Sequence, residues 1–131
     1  MVTEDYVSFE TAKLLKENGF DGECIAYYSE FKDNNTNLHR WRNRQNYVNV
    51  KNSGYTLVPT LQMAMKWLRD VHKKVINVEY IDFLEHGEVW SYSVLDRNTF
   101  HEFTEKSESF TEHSYEEACE EGIKYCLKNL I

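Results

Sequence analysis

The chain predicts an α+β fold. Two layers are expected, a mainly antiparallel sheet with about three helices packed on one face, in the order α-β-β-α-β-β-α. Three observations predict it. Helix start signals at Ser8, Thr60 and Ser114 each precede apolar residues at three- and four-residue spacing. Between them lie short runs that alternate apolar and polar residues. Two of those runs are separated only by turn-forming residues, as in a hairpin.

The first helix begins at Ser8, a good N-cap, and places Phe9, Ala12 and Leu15 on one face. It stops at Asn18-Gly19. With Gly19 at C′, Phe20 takes C″ and Leu15 takes C3, the pair that meets in a Schellman ending. Cys24 to Phe31 follows as a strand, with Cys24, Ala26 and Tyr28 toward one face and Ile25, Tyr27 and Ser29 toward the other. Residues 32–37 are turn-like in composition, and 38–44 fit neither pattern cleanly. Tyr47 to Val50 alternates as a short strand, and Tyr55 to Val58 is extended up to the only proline, Pro59.

Thr60 caps the second helix, with Pro59 fixing its approach. Leu61, Ala64, Met65, Leu68 and Val71 form the stripe and Trp67 borders it. Lys66, Arg69, Lys73 and Lys74 crowd toward its C-terminus, where cations meet the negative end of the helix dipole. Val75 to Leu84 and Val89 to Leu95 then form a hairpin around Glu85-His86-Gly87-Glu88. Ile76, Val78 and Tyr80 share one face of its first strand, and Trp90, Tyr92 and Val94 one face of its second. Thr99 to Thr104 is expected as an edge strand with Phe100 or Phe103 inward, and residues 105–113 as loop.

The closing helix carries a capping box, Ser114-x-x-Glu117. Its small or apolar face is Tyr115, Ala118, Cys119, Gly122, Ile123, Cys126, Leu127 and Leu130. Burial of Leu130 and Ile131 would contribute roughly 1.5–3 kcal/mol each. Removal of the last four residues is therefore expected to unfold or aggregate the chain.

At 131 residues, 41% hydrophobic and 28% charged, the chain suits one domain spanning 1–131. No apolar run reaches the ~18–20 residues of a membrane span, and the acidic start lacks the apolar segment of a secretory signal. A cytoplasmic protein without a membrane partner is expected. Cys24, Cys119 and Cys126 are odd in number and lack zinc spacing, so they read as buried small apolar side chains.

The net charge of −7 is unevenly spread. Residues 1–31 carry two lysines against seven acids, residues 32–74 nine Lys/Arg against two acids, and residues 75–131 four against thirteen. Within the basic middle, Arg40, Trp41, Arg42 and Arg44 interleave cations with an aromatic, the residue types that grip a nucleic-acid backbone and stack on bases. On a strand, alternation would put the three arginines on one side and Trp41 on the other. These four residues are the candidate contact site, for a protein partner or for nucleic acid. The double-stranded-RNA-binding arrangement is excluded, because the first turn of the last helix is acidic where such domains carry lysines.

Nine tyrosines, among them Tyr27, Tyr28, Tyr47, Tyr80 and Tyr92, fall largely on strands beside Trp90, where aromatics pack well in any case. The five histidines are scattered and no metal spacing joins them. His86 with Glu88 and His101 with Glu102 come nearest to an acid–base pair. No nucleophile elbow, phosphate loop or metalloprotease motif is present, so no catalytic residue, metal ligand or cofactor is assigned.

The segment Val58-Pro59-Thr60-Leu61 through Trp67-Leu68-Arg69, the opening Val7-Ser8-Phe9-Glu10-Thr11-Ala12 and the terminal Ser114-Tyr115-Glu116-Glu117-Ala118 resemble a group of small uncharacterised proteins of gut bacteria and their phages or integrated elements. The resemblance implies a mobile-element setting and a shared fold, and no activity. The expectation is a non-enzymatic accessory protein working through protein–protein contact. The alternative is a nucleic-acid-associated protein using residues 39–44. Copies of the chain could also join through an unpaired sheet edge at 47–50 or 99–104.

Overall fold

Ser8 starts the first helix as its side chain dictates: its oxygen accepts from the Thr11 N–H, and α1 runs Phe9–Glu17. The ending is the full Schellman pair. The Phe20 N–H donates to the Leu15 carbonyl at 2.9 Å and the Gly19 N–H to that of Lys16 at 3.2 Å. Gly19 takes φ of +84°, a conformation open to glycine without strain, and Leu15 and Phe20 are both buried. These details come from a computed structural model that describes residues 2–29, 38–41, 54–83, 87–103, 112 and 114–131.

Among the described residues the order is α-β-β-β-α-β-β-α, with three helices and strands in two antiparallel sheets of three and two. Contacts gather the chain into two compact units, Met1–Ala64 and Met65–Ile131. The division falls within α2, Leu61–Val71.

The first unit holds α1 and the strands β1 (Ala26–Ser29), β2 (Leu38–Arg40) and β3 (Tyr55–Val58), ordered β2-β1-β3. The alternation expected for β1 is present: Cys24, Ala26 and Tyr28 are buried, whereas Ile25 is exposed and Tyr27 and Ser29 are half-buried. α1 covers the Tyr28 side, where the Phe9 and Tyr28 rings meet edge to face at 5.3 Å. The N-terminal strap holds the start of α2: the Leu61 N–H donates to the Asp5 carbonyl and the Val7 N–H to that of Pro59. Thr60 caps α2 through its hydroxyl, which accepts from the Met63 N–H.

Leu61, Ala64, Met65 and Leu68 are buried along the α2 stripe, and Trp67 joins them at 8% exposure. Val71, the last residue of α2, does not; it is 56% exposed. Of the cations expected at this helix end, Lys73 answers a backbone carbonyl, whereas Lys66 bridges the Asp70 carboxylate at 2.8 Å and Lys74 that of Asp96 at 3.5 Å. Lys73 Nζ donates to the Asp70 carbonyl at 2.7 Å, and Arg97 reaches that of Arg69 at 3.4 Å.

The second unit is a hairpin with a helix laid on it. β4 (Lys74–Phe83) and β5 (Gly87–Asp96) pair antiparallel over their whole length. The register sets Ile76 against Val94, Val78 against Tyr92 and Tyr80 against Trp90, so the two expected faces coincide. α3 (Tyr115–Asn129) lies on that face, capped by Ser114, whose side chain accepts from the Glu117 N–H. Ala118, Cys119, Gly122, Ile123, Cys126 and Leu127 are buried as the spacing predicts. At Gly122 the helix comes so close that an added Cβ would meet Ile76 Cγ2 at 2.8 Å.

Two further expectations are corrected. Thr99 to Thr104 is no strand over its described residues: 97–99 form a turn, Phe100 sits at φ +61° and 80% exposed, and pairing is a single bridge, Leu95 with Glu102. Asp96 builds that turn by accepting from the N–H groups of Asn98 and Thr99, both at 2.9 Å. Phe103 is the half-buried one, its carbonyl accepting from the Tyr125 hydroxyl. Lastly, Leu130 is half-buried and Ile131 exposed, so the final residues hold less of the core than expected. The strand expected at 47–50 lies outside the described residues.

Candidate functional site

Tyr27 and Tyr28 are neighbours on one strand, so the pleat sends their rings to opposite faces of the first sheet. Tyr28 goes under α1. Tyr27 goes to the other side, and the register decides what meets it there. β2 sets His39 directly opposite Tyr27, and β3 sets Leu57 opposite it and Tyr55 opposite Ser29. Residues of one face therefore gather Tyr27, His39, Tyr55 and, two residues beyond His39, Trp41.

The rings are in contact. Tyr27 stacks on Trp41 at 4.2 Å between centroids and on His39 at 5.2 Å, with interplanar angles of 29° and 25°. Tyr55 closes the group edge-on, 5.2 Å from Tyr27 and 6.5 Å from Trp41. The Trp41 N–H donates to the Ile25 carbonyl at 3.0 Å, which fixes the end of β2 against the start of β1. Leu57 is buried as the floor, while Tyr27, His39 and Trp41 are half-buried. Tyr55 and Ile25 are 40% and 45% exposed. An ordered aromatic cluster thus reaches the surface of a small sheet.

Of the four residues singled out in the sequence, Arg40 and Trp41 are described and Arg42 and Arg44 lie outside the described residues. Arg40 pairs with Ala26 and so belongs to the α1 face. Its guanidinium lies 5.0 Å over the Tyr6 ring, a cation–π contact. The structure therefore separates Arg40 from Trp41, as strand alternation predicts. What the sequence reading did not assemble is the partnership of Trp41 with Tyr27, His39 and Tyr55. The signal was their odd numbering on alternating strands, but only the strand register turns equal parity into contact.

Cys24 and Cys126 are buried, and burial pushes their thiols up to about 12; burial pushes Cys119 up as well. Each is a neutral thiol near pH 7, a small apolar filler rather than a nucleophile. His72 packs edge to face on Trp67 at 4.6 Å, and burial, then the Lys74 charge, lowers its pKa. His101 is exposed and rests on Phe103. His86 and His113 lie outside the described residues. Asp96 is held below the ordinary carboxylate value by the Thr99 and then the Asn98 N–H. Among the described residues no group of three or more His, Cys, Asp or Glu could hold a metal ion, and no helix is long and apolar enough to cross a membrane.

Comparison with known proteins finds no matching family model, curated protein or solved structure.

Proposed function

We propose that this chain is a small cytoplasmic accessory protein, of the phage or mobile-element type its sequence resembles, that acts without catalysis by holding a protein partner on the aromatic face of its first sheet. One observation carries the reading: Tyr27, His39, Trp41 and Tyr55 form a single ordered cluster at the surface, flanked by exposed Ile25. Tyrosine and tryptophan bury large areas at small entropic cost and dominate the centres of protein interfaces. Rings already packed on one another lose still less freedom when a partner arrives.

The nucleic-acid alternative rests on Arg40, Trp41, Arg42 and Arg44, of which Arg40 is exposed at the end of β2. One feature weighs against it. The nearest described arginine stands on the opposite side of the sheet, over Tyr6.

A photo-crosslinking amino acid at position 55 tests the proposal in cells that make the protein, with the same group at exposed Met63 as control. A discrete protein adduct from position 55 alone, lost in the Tyr27→Ser variant, is expected. Absence of any adduct specific to position 55 would overturn it. Saturable binding of single- or double-stranded probes at ~50 mM salt, abolished in Arg40→Ala/Arg42→Ala/Arg44→Ala, would instead establish the alternative.

A further inference from the structure

A two-stranded sheet has two outer edges, and this chain treats its two differently. The outer edge of β5 is occupied: the Trp90 N–H donates to the Glu112 carbonyl, the Phe103 N–H to that of Val94, and the Asp96 N–H to that of His101. β4 pairs with β5 and with no other strand among the described residues. It is ten residues long, without proline or glycine, and Asn77, Glu79 and Tyr80 on it are exposed. Long, regular edges of this kind are templates for further strand pairing, and proteins usually shield them.

We infer that β4 is a homodimerisation edge, pairing antiparallel with β4 of a second copy about a two-fold axis through Val78. The occupant is chosen by the sequence of the strand. A two-fold normal to the sheet keeps each residue on its own face, so opposed residues must both be odd or both be even in number. Centring on Val78 engages Lys74 to Asp82 of each strand. Val75 then stands opposite Ile81, Ile76 opposite Tyr80, and Asn77 opposite Glu79. These pairs are complementary: β-branched with β-branched, aliphatic with aromatic, amide donor with carboxylate. Lys74, at the end of the paired segment, stays on Asp96 of its own chain at 3.5 Å.

Neighbouring registers lose this. Centring on Glu79 sets two carboxylates face to face. Centring on Asn77 sets Val75 against Glu79. The exposed carboxylate that protects this edge from other strands thus selects this strand in one register. Tyr80, 54% exposed with its ring edge on Trp90, comes to lie beside Ile76 of the second copy, extending the apolar face under α3 across the axis. The paired strands make a modest interface, so the dimer is expected to be weak and concentration-dependent. The edges expected from sequence were 47–50 and 99–104; the structure points to 74–82.

Sedimentation velocity from about 5 to 200 µM tests the inference, with cysteine cross-linking to fix the register. Val78→Cys should give a covalent dimer under mild oxidation, since its two copies would lie about 5 Å apart between Cα atoms. Ile81→Cys, far from the axis, should give none. Asn77→Asp sets a carboxylate against Glu79 and should weaken dimerisation on the order of tenfold, twice over the effect of one cross-strand pair. Adding Glu79→Lys should restore it. Both positions are exposed, so an unchanged circular dichroism spectrum will show that the monomer is intact. A monomer throughout the concentration range overturns the inference. So does a dimer that neither cross-links through position 78 nor responds to the charge exchange.

Discussion

Gly122 gives the sharpest test of how the second unit is packed. In an exposed helix interior, glycine to alanine stabilises by about 1 kcal/mol, because the backbone loses freedom in the unfolded chain. Here the new methyl would stand 2.8 Å from Ile76 Cγ2 and 3.4 Å from Tyr92 Cδ2. Cγ2 sits on the branched carbon of a buried strand residue, so it moves only if χ1 or the backbone moves. Overpacking of this kind costs about 1–3 kcal/mol. Gly122→Ala should therefore destabilise by about 1 kcal/mol net, a fall of roughly 3–5 °C in Tm for a chain of this size. Ile76→Ala removes Cγ2. In that background Gly122→Ala should regain its intrinsic benefit and stabilise by about 1 kcal/mol, giving a coupling near 2 kcal/mol in urea denaturation. Stabilisation by Gly122→Ala in the parent chain, or simple additivity in the cycle, would refute the close approach of α3 to β4.

Ser114→Ala should cost about 1 kcal/mol by orphaning the Glu117 N–H, whereas removing Leu130 and Ile131 should leave the fold cooperative, as paired urea melts would show. All three thiols should resist alkylation near pH 7 until denaturant is added. Because burial raises the folded-state thiols of Cys24 and Cys126 from 9.0 to about 12, their stabilisation is complete below pH 9 and is lost as pH rises from 9 toward 12; replacing both with alanine should flatten that alkaline slope in a pH series of melts. His72 has the opposite dependence. Its folded-state pKa lies below the ordinary 6.5, so the unfolded chain takes up the proton first and stability should fall as pH drops below 6.5; His72→Phe should remove that acid-side loss.

The helices and the hairpin were legible because their signals are local. Ser8, Gly19, Thr60 and Ser114 each act through backbone groups within a few residues, and the hydrogen bonds are those that spacing implies. The hairpin faces followed from alternation along its two strands. Non-local matters were not legible. Periodicity tells which way a strand residue points but not which strand lies beside it, so the division into two sheets and the meeting of Tyr27 with Trp41 needed the fold. The segment after β5 was misread because Asp96 diverts the chain: its carboxylate accepts two N–H groups and ends the strand before Thr99. Val71 and Ile131 read as core in sequence because an apolar stripe continues to the end of a helix or beyond it, where the packing no longer follows.

The account stands on the aromatic face of the first sheet being a surface the cell covers. Hydroxyl-radical footprinting, compared between purified protein and cells that make it, measures this directly. Tyr27, Trp41 and Tyr55 should be oxidised less in cells, with the 80%-exposed Phe100 as an unchanged reference. Equal oxidation of those three rings in both settings would contradict it.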